Sequence, residues 1–202
     1  MRNDPKREAL QIIVKCAKLY EEKLRDKTLL VIMGSEKSFT YKEMYFPKKN
    51  FLHLTGAKVK ISANHFYNKS IHSKLALDDF QFNDDGTTRL KLNVLPELLS
   101  MKVNMFGTYS GTRPKLYTEK LLGNVRGCLG FIRSAEYGNF YVPNTTLETD
   151  MRNESKDCKR VLFILRKAKK DTLYSELIYS AKKTNKEILK SINKINYEKI
   201  SK

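Results

Sequence analysis

The sequence has no long apolar run: none is longer than that of residues 29–33, which is far too short to cross a bilayer. It also lacks a basic and then apolar leader with a small-residue cleavage site, so export by that route is not expected. Histidine and cysteine number only three each, which argues against a zinc site. Because Cys16, Cys128 and Cys158 are odd in number and widely spaced, we expect reduced thiols in a cytoplasmic protein.

Acidic residues are scarce relative to basic ones: 22 Asp and Glu against 39 Lys and Arg give a formal charge of +17. Residues 156–202 hold 14 of the basic residues and 5 of the acidic ones, so over half of the excess lies in the last quarter. A charge of this size favours a polyanionic partner, nucleic acid before an anionic membrane surface or an acidic protein. A Lys-rich composition that merely reflects an AT-rich genome is the alternative.

Periodicity predicts both helices and strands. Asp4 followed by Pro5 is a typical helix start, and apolar residues at helical spacing predict an amphipathic helix over residues 5–26. Further helices are predicted over residues 62–74 and 87–101, the second with a kink or a break at Pro96. Strands are predicted over residues 28–33, 41–46, 51–56, 103–109, 125–132, 140–142, 161–165 and 173–179.

With 41% hydrophobic and 30% charged residues, no internal repeat and no linker, the chain is expected to form one soluble domain. We predict an α+β fold over residues 1–182, in which N-terminal helices pack on a twisted antiparallel β-sheet. A basic C-terminal helix, capped by Thr184, is predicted over residues 183–202, and we expect it to dock weakly because its apolar stripe is narrow.

The stretch around His53 is the first candidate for chemistry. In the predicted strand, alternation places Phe51, His53 and Thr55 on one face, so an imidazole and a hydroxyl would stand side by side. Imidazole has an unperturbed pKa near neutral pH and suits proton transfer. A half-buried histidine bonded to a backbone carbonyl is the structural alternative.

Several short blocks resemble, in the right order, the phage-associated barnase, EndoU, colicin and RelE-like (BECR) nuclease family, type 4. The distinctive block is Phe-Leu-His-Leu-Thr-Gly at residues 51–56, and the others lie at residues 89–95, 106–109, 142–147 and 161–167. The resemblance implies a barnase-like fold and RNA cleavage by attack of the 2′-hydroxyl on the phosphate, without metal or cofactor. In such an enzyme His53 would be the acid or base, and Tyr109 would assist it.

The loop at residues 107–115 is the second candidate site, since it combines two glycines, several hydroxyls and two cations. Ser110 and Thr112 could donate hydrogen bonds to phosphate oxygens, and Arg113 and Lys115 could neutralise their charge. The loop lacks the Gly-Lys-Ser/Thr ending of a nucleotide P-loop, which disfavours ATP or GTP. An ordinary exposed turn would have a similar composition.

A third candidate lies at residues 143–147. Thr145 and Thr146 fall within a block of the family resemblance and are kept as substrate-binding candidates. The alternative is a helix start, because Asn144 or Thr145 ahead of Glu148 suits a capping box, and we favour the cap for Asn144.

The combined prediction is a metal-independent endoribonuclease of phage or mobile-element type, a toxin or defence factor with His53, Tyr109 and Thr55 as catalytic residues. RNA is the expected partner, with DNA as the alternative, together with an antitoxin or inhibitor protein and no membrane. A catalytically silent nucleic-acid-binding module with the same fold, or a protein-binding effector with a basic face, would share these features. Catalysis requires His53 on an open basic surface, whereas a binding module tolerates it buried.

Overall fold

The computed structural model describes residues 4–35, 37–113, 116–182 and 184. The helices in this part of the chain are α1 (Pro5–Lys23), α2 (Phe51–Thr55), α3 (Ala63–Ile71), α4 (Thr87–Leu99) and α5 (Met151–Glu154). The strands are β1 (Lys27–Gly34), β2 (Phe39–Tyr45), β3 (Lys58–Val59), β4 (Phe80–Gln81), β5 (Met105–Thr108), β6 (Lys120–Gly123), β7 (Cys128–Ser134), β8 (Phe140–Leu147), β9 (Lys159–Ala168) and β10 (Glu176–Ser180). No helix among the described residues is long and apolar enough to span a membrane. The C-terminal helix predicted over residues 183–202 lies, Thr184 apart, outside the described residues.

The N-terminal helix begins as the sequence predicts. The Asp4 side chain accepts a hydrogen bond from the Lys6 amide at 2.9 Å, and Pro5 occupies the first helical position. The buried face of α1 includes Ile13, Ala17 and Tyr20, as helical spacing requires. The prediction of this helix is confirmed, although it ends three residues before the predicted boundary.

Most strands join one sheet in the order β1-β2-β8-β7-β6-β5-β9-β10. Strand β9 pairs with β5 and also with β1, so the sheet closes into a barrel. All of these pairings are antiparallel except that of β2 with β8, which meet in parallel at Met44 and Tyr141. The predicted hairpins β1–β2 and β9–β10 are confirmed, and so is the mixed α+β class. Strands β3 and β4 form a separate small ribbon.

The core lies mainly between one face of this sheet and helices α1 to α4. Alternation along β1 places Leu29 and Val31 in this main core, and Leu30 and Ile32 on the opposite face. That opposite face carries two smaller apolar clusters. One lies around Phe163; the other consists of Tyr109, Leu121, Cys128, Leu147 and Met151.

The strand predicted over residues 51–56 is wrong, because residues 51–55 form helix α2 after a 3-10 turn at Lys48–Asn50. Phe51 packs edge-on against the rings of Tyr20 and Tyr67, with centroids 5.4 and 5.3 Å away. A short apolar segment fits either period, so distant packing partners decide its conformation. Gly56 ends the helix in the left-handed region, at φ 66°, and its predicted role as the end of the element is confirmed.

Two other predictions need correction. Strand β8 continues to Leu147, so Asn144 is a residue of a strand with an irregular register and not a helix cap. The actual cap of the next helix is Asp150, whose side chain accepts from the Arg152 amide. Helix α4 runs through Pro96 as one helix, so the alternative of two short helices is wrong, while the kink stays a prediction. Buried apolar residues lie on both sides of the proline.

Candidate functional site

His53 lies on the exposed side of α2, because the helical turn directs Phe51, Leu54 and Thr55 into the core and His53 away from it. Within the described residues the imidazole makes no hydrogen bond, while the His53 carbonyl accepts one from Lys91 Nζ at 3.0 Å. Partial burial and, second, the Lys91 charge lower the pKa of His53 from 6.5. The imidazole is therefore neutral at pH 7 and able to accept a proton.

Thr55 does not share a face with His53 as the strand prediction required. Its side chain is fully buried, and its hydroxyl donates to the Leu52 carbonyl at 2.8 Å and accepts from the Ala57 amide at 3.2 Å. These bonds close the end of α2, so the structure gives Thr55 a local structural role.

The loop that follows β5 is anchored to α5 by Glu154. The Glu154 carboxylate is only 6% exposed and accepts from Arg113 Nε and Nη2, at 3.1 and 2.7 Å, and from Thr112 Oγ1 at 2.7 Å. Burial by itself raises the pKa of Glu154, but the hydrogen bonds from Arg113 and Thr112 outweigh it, and the net pKa is lowered. Glu154 is thus a carboxylate that holds the loop in place.

Tyr109 also holds this loop in place. Its side chain is 7% exposed, and its hydroxyl accepts a hydrogen bond from the Arg113 amide at 2.8 Å. The Ser110 amide donates to the Glu154 carbonyl at 2.8 Å, while the Ser110 hydroxyl is buried with no partner among the described residues. Lys115, the second cation predicted for this site, lies outside the described residues.

A second polar cluster lies at the end of β5. Asp157 accepts from the Thr108 amide at 2.5 Å and from the Thr108 hydroxyl at 3.0 Å, and that hydroxyl accepts from Lys120 Nζ at 2.7 Å. Burial alone raises the pKa of Asp157, but the bonds from Thr108 and the charges of Lys120 and Lys159 lower it overall. The Lys120 ammonium, the Thr108 hydroxyl and the ionised Asp157 carboxylate thus form a chain of hydrogen bonds.

A basic pocket of about 700 Å³ opens where β5 and β9 begin and β10 ends. Its lining includes the exposed cations Arg152, Lys159, Arg160 and Lys182, and none of the described residues that line it is acidic. The Arg152 guanidinium bonds to Asp150, and Arg160 donates to the Lys182 carbonyl. Within the described residues Lys159 forms no ion pair, although its charge acts on Asp157, so this pocket can offer positive charge to an anion.

Thr145 and Thr146 are 4% and 1% exposed, so neither hydroxyl is open to a bound substrate. The two side chains point to opposite faces of β8, since successive residues of a strand alternate. The Thr146 hydroxyl is buried and has no partner among the described residues. The role predicted for these threonines stays a prediction, and their burial does not support it.

The structure brings together the loop, the Asp157 cluster and the basic pocket, because the segment between Asp150 and Arg160 contributes to all three. No hydrogen bond or ion pair among the described residues connects His53 with Tyr109, Ser110, Thr112 or Arg113. Sequence reasoning missed Glu154, Asp157 and Lys120, whose partners are distant in the chain. The sequence did contain a signal for the pocket: from residue 156 onward basic residues outnumber acidic ones, and Lys159 and Arg160 are adjacent there.

Comparison with protein families gives a match over most of the chain. The model of the family described as phage-Barnase-EndoU-ColicinE5/D-RelE like nuclease4 matches residues 12–183. No curated protein and no solved structure matches the chain.

Proposed function

Since the chain belongs to the phage-Barnase-EndoU-ColicinE5/D-RelE like nuclease4 family, we propose that it is a metal-independent endoribonuclease that cleaves cellular RNA. The observation that supports this most directly is the basic pocket, in which Lys159 and Arg160 stand without an acidic residue among the described residues that line it. A polyanion compensates such a concentration of charge, and phosphate contacts supply most of the affinity of nucleic-acid-binding proteins. We also propose that the sheet has a barnase-like twist and that a basic helix follows it at the C-terminal end.

The proposed reaction is a transesterification. The 2′-oxygen attacks the adjacent phosphorus, the bond from phosphorus to the 5′-oxygen breaks, and a 2′,3′-cyclic phosphate remains. His53, which is neutral at pH 7, takes the proton of the 2′-hydroxyl as general base. A second group returns a proton to the departing 5′-oxygen, and a cation next to the reacting phosphate stabilises the negative charge that develops on it. The cations of the pocket hold other phosphates of the strand.

Arg113 has a place in this proposal as a phosphate contact held in position by other residues. Glu154 binds its Nε and Nη2, and Tyr109 accepts from its amide. Its side chain is nevertheless 48% exposed, and Nη1 has no hydrogen bond among the described residues. A guanidinium carries five N–H donors, so Arg113 can bond to Glu154 and to a phosphate at once. Tyr109 and Glu154 then act as positioning residues.

One observation favours a second function, a nucleic-acid-binding module without catalysis. His53 has no described contact with the loop at residues 109–113 and projects from a helix, so the two candidate parts are not joined into one hydrogen-bonded site. A module of this kind would bind RNA through the same cations and leave it intact. A protein-binding effector would instead keep its affinity at salt concentrations that abolish RNA binding.

The proposed setting is a reducing cytoplasm, where the protein acts as a toxin or defence factor of a phage or mobile element, with an antitoxin or inhibitor as partner. Two of the three free cysteines, Cys16 and Cys128, are buried, and burial raises the pKa of each thiol to about 12. Protonated buried thiols are inert, which suits structural cysteines that need no disulfide.

The test is to incubate the purified protein with total RNA in the presence of a chelator. We expect discrete fragments that end in a 2′,3′-cyclic phosphate, and no cleavage of an oligonucleotide whose sugars lack the 2′-hydroxyl. RNA that stays intact while it binds the protein would replace the nuclease with the binding module. Cleavage of the 2′-deoxy oligonucleotide would overturn the mechanism.

A further inference from the structure

A cavity of about 340 Å³ lies at the end of the barrel formed by the start of β1 and the end of β9. Its lining combines aromatic rings and cations: Thr28, Tyr45, Tyr137, Phe140, Lys167 and Lys169. The strand register explains this composition, because Thr28 pairs with Tyr45 on one side and with Lys167 on the other. Residues paired across a sheet direct their side chains to the same face.

The rings are arranged so that they do not fill the space between them. The Tyr45 ring lies 5.2 Å from that of Tyr137 and 6.5 Å from that of Phe140, at interplanar angles of 40° and 41°. Tyr45 forms the buried floor, at 4% exposure, whereas Tyr137 and Phe140 are only half-buried. The Tyr45 ring is covered, so the ring surface that a planar ligand can reach is the exposed part of Tyr137 and Phe140.

Cations surround these rings. Lys169 Nζ lies 5.3 Å from the centre of the Tyr45 ring, and Lys49 Nζ lies 5.3 Å from that of Tyr137. Two carboxylates lie near the rings, and both are paired: Glu136 with Lys49 at 2.6 Å, and Asp26, which accepts from the Tyr45 hydroxyl at 2.8 Å, with Arg25 at 3.2 Å. The surroundings of the cavity are therefore positive overall, and the ligand that suits them is planar and aromatic and carries negative charge.

We propose that this cavity binds a base of single-stranded RNA, with Lys169 and Lys167 contacting its phosphates. Aromatic side chains within a basic groove are the usual means of binding single-stranded nucleic acid, because every base offers a face for stacking. This inference rests on the proposed function in so far as RNA is the ligand, but it assigns a site apart from the basic pocket.

Strand β9 connects the two sites and gives the distance between them. Arg160 belongs to the basic pocket and Lys167 to the aromatic cavity, and seven steps along a strand cover about 23 Å at ~3.3 Å per residue. An RNA that occupies both sites therefore has to extend over several nucleotides, and short substrates reach only one of them. The cavity would increase affinity for longer strands.

The experiment compares two oligonucleotides of equal length and charge, one a 2′-O-methyl RNA that cannot be cleaved and the other with its central bases removed. We expect the wild-type protein to bind the intact strand about 5- to 150-fold more tightly, the range that one stacked base contributes. Tyr137→Leu should abolish this difference, whereas Tyr137→Phe, which keeps the ring, should retain it. Equal binding of both strands by the wild type overturns the proposal.

Further controls distinguish stacking of a base from contacts to its phosphates. They also test the cavity proposal independently of the nuclease proposal. Lys169→Gln should weaken binding more than Lys170→Gln, which removes the same charge from a neighbouring residue outside the lining; equal losses would overturn the assigned phosphate contact. Melting curves confirm that each variant folds. If RNA is not cleaved but the intact strand still binds more tightly, the nuclease proposal fails and this one stands. If RNA is cleaved but the two strands bind equally, the nuclease proposal stands and the cavity proposal fails.

Discussion

Arg113 and Glu154 are 41 residues apart in the chain and form a hydrogen-bonded ion pair in which Nε and Nη2 both bond to Oε1. The second carboxylate oxygen accepts from Thr112, so both oxygens of a nearly buried group are satisfied. This pair fixes the loop after β5 against α5, next to the basic pocket that contains Arg152.

Replacing Glu154 with glutamine should lower the free energy of unfolding by about 1–3 kcal/mol, because Arg113 loses its charged partner and the amide cannot satisfy three donors. The value is expected towards the lower end, since Arg113 is half exposed and solvent screens its charge. Urea denaturation measures the change. Glu22→Gln, an exposed position on α1, is the control and should change stability by less than about 0.5 kcal/mol. Equal effects of the two substitutions would contradict the anchoring role of Glu154.

His53→Gln should leave the fold and the affinity for RNA unchanged and reduce the cleavage rate by about 100- to 10,000-fold, the usual contribution of a general acid or base. Rates are measured with saturating RNA, and melting temperatures on the same samples. His65→Gln, which removes an exposed imidazole from α3, serves as the matched control and should cleave at the wild-type rate. A folded His53→Gln protein that cuts RNA normally would remove His53 from the mechanism.

The lowered pKa of His53 also predicts how stability depends on pH. In the unfolded chain the imidazole titrates near 6.5, above its folded pKa, so the unfolded state binds the proton more readily. The His53 contribution to stability is complete above pH 6.5 and falls as the pH drops through the folded pKa. Between about pH 7 and about pH 5.5 the melting temperature should fall, and less so in His53→Gln. An identical fall in both proteins would contradict the lowered pKa of His53.

Gly107 allows a close approach of β5 to the segment after α5. A Cβ at this position would lie 1.9 Å from the Ser155 hydroxyl oxygen, so Gly107→Ala should cost about 1–3 kcal/mol. Ser155→Ala should be neutral or stabilising, because that hydroxyl is buried without a partner among the described residues. The double variant should recover part of the loss, since the Ser155 Cβ would still lie 3.0 Å away.

The matched control for Gly107 is Gly86→Ala. Gly86 has φ 75° and open space around it, so its substitution costs backbone strain alone. Ser155→Ala should not rescue that variant. Urea denaturation of the wild type, the three single variants and the two double variants measures these effects, and equal rescue of both glycine-to-alanine variants would show that the Ser155 contact is irrelevant.

Binding through the basic pocket should depend on salt. For single-stranded RNA each phosphate contact adds about 0.7 to the slope of the logarithm of affinity against the logarithm of salt concentration. Lys159→Gln should reduce the slope by that amount, and Lys18→Gln, the same charge change on an exposed position of α1, should leave it unchanged. Fluorescence anisotropy at several salt concentrations measures both. An affinity that does not vary with salt would exclude a phosphate-binding surface.

Local signals were sufficient for a large part of the fold. The cap at Asp4, the strand pairs β1–β2 and β9–β10, and the stop at Gly56 depend on neighbouring residues and were predictable from them. Strand β6 was not predicted, because Lys120–Gly123 is only four residues long and is stabilised by pairing with β5 and β7. The irregular register of β8 near Asn144 likewise depends on its partner strand.

The candidate site was likewise predictable only in part from local sequence. Composition identified the positive charge and the family blocks identified His53, but neither indicated that Glu154 bonds to Arg113 or that Asp157 bonds to Thr108. Carboxylates that bond across 41 and 49 residues of chain leave no local pattern. The aromatic cavity has the same origin, since Tyr45 and Phe140 meet only when β2 and β8 become neighbours.

The sequence by itself determined the excess of positive charge, the family, and the elements whose caps and periodicity are local. Only the tertiary structure decided that residues 51–55 are helical and that His53 faces outwards. The physical reason is burial: a five-residue apolar segment has no strong preference of its own, and the contact of Phe51 with Tyr20 and Tyr67 selects the conformation that places its ring in the core.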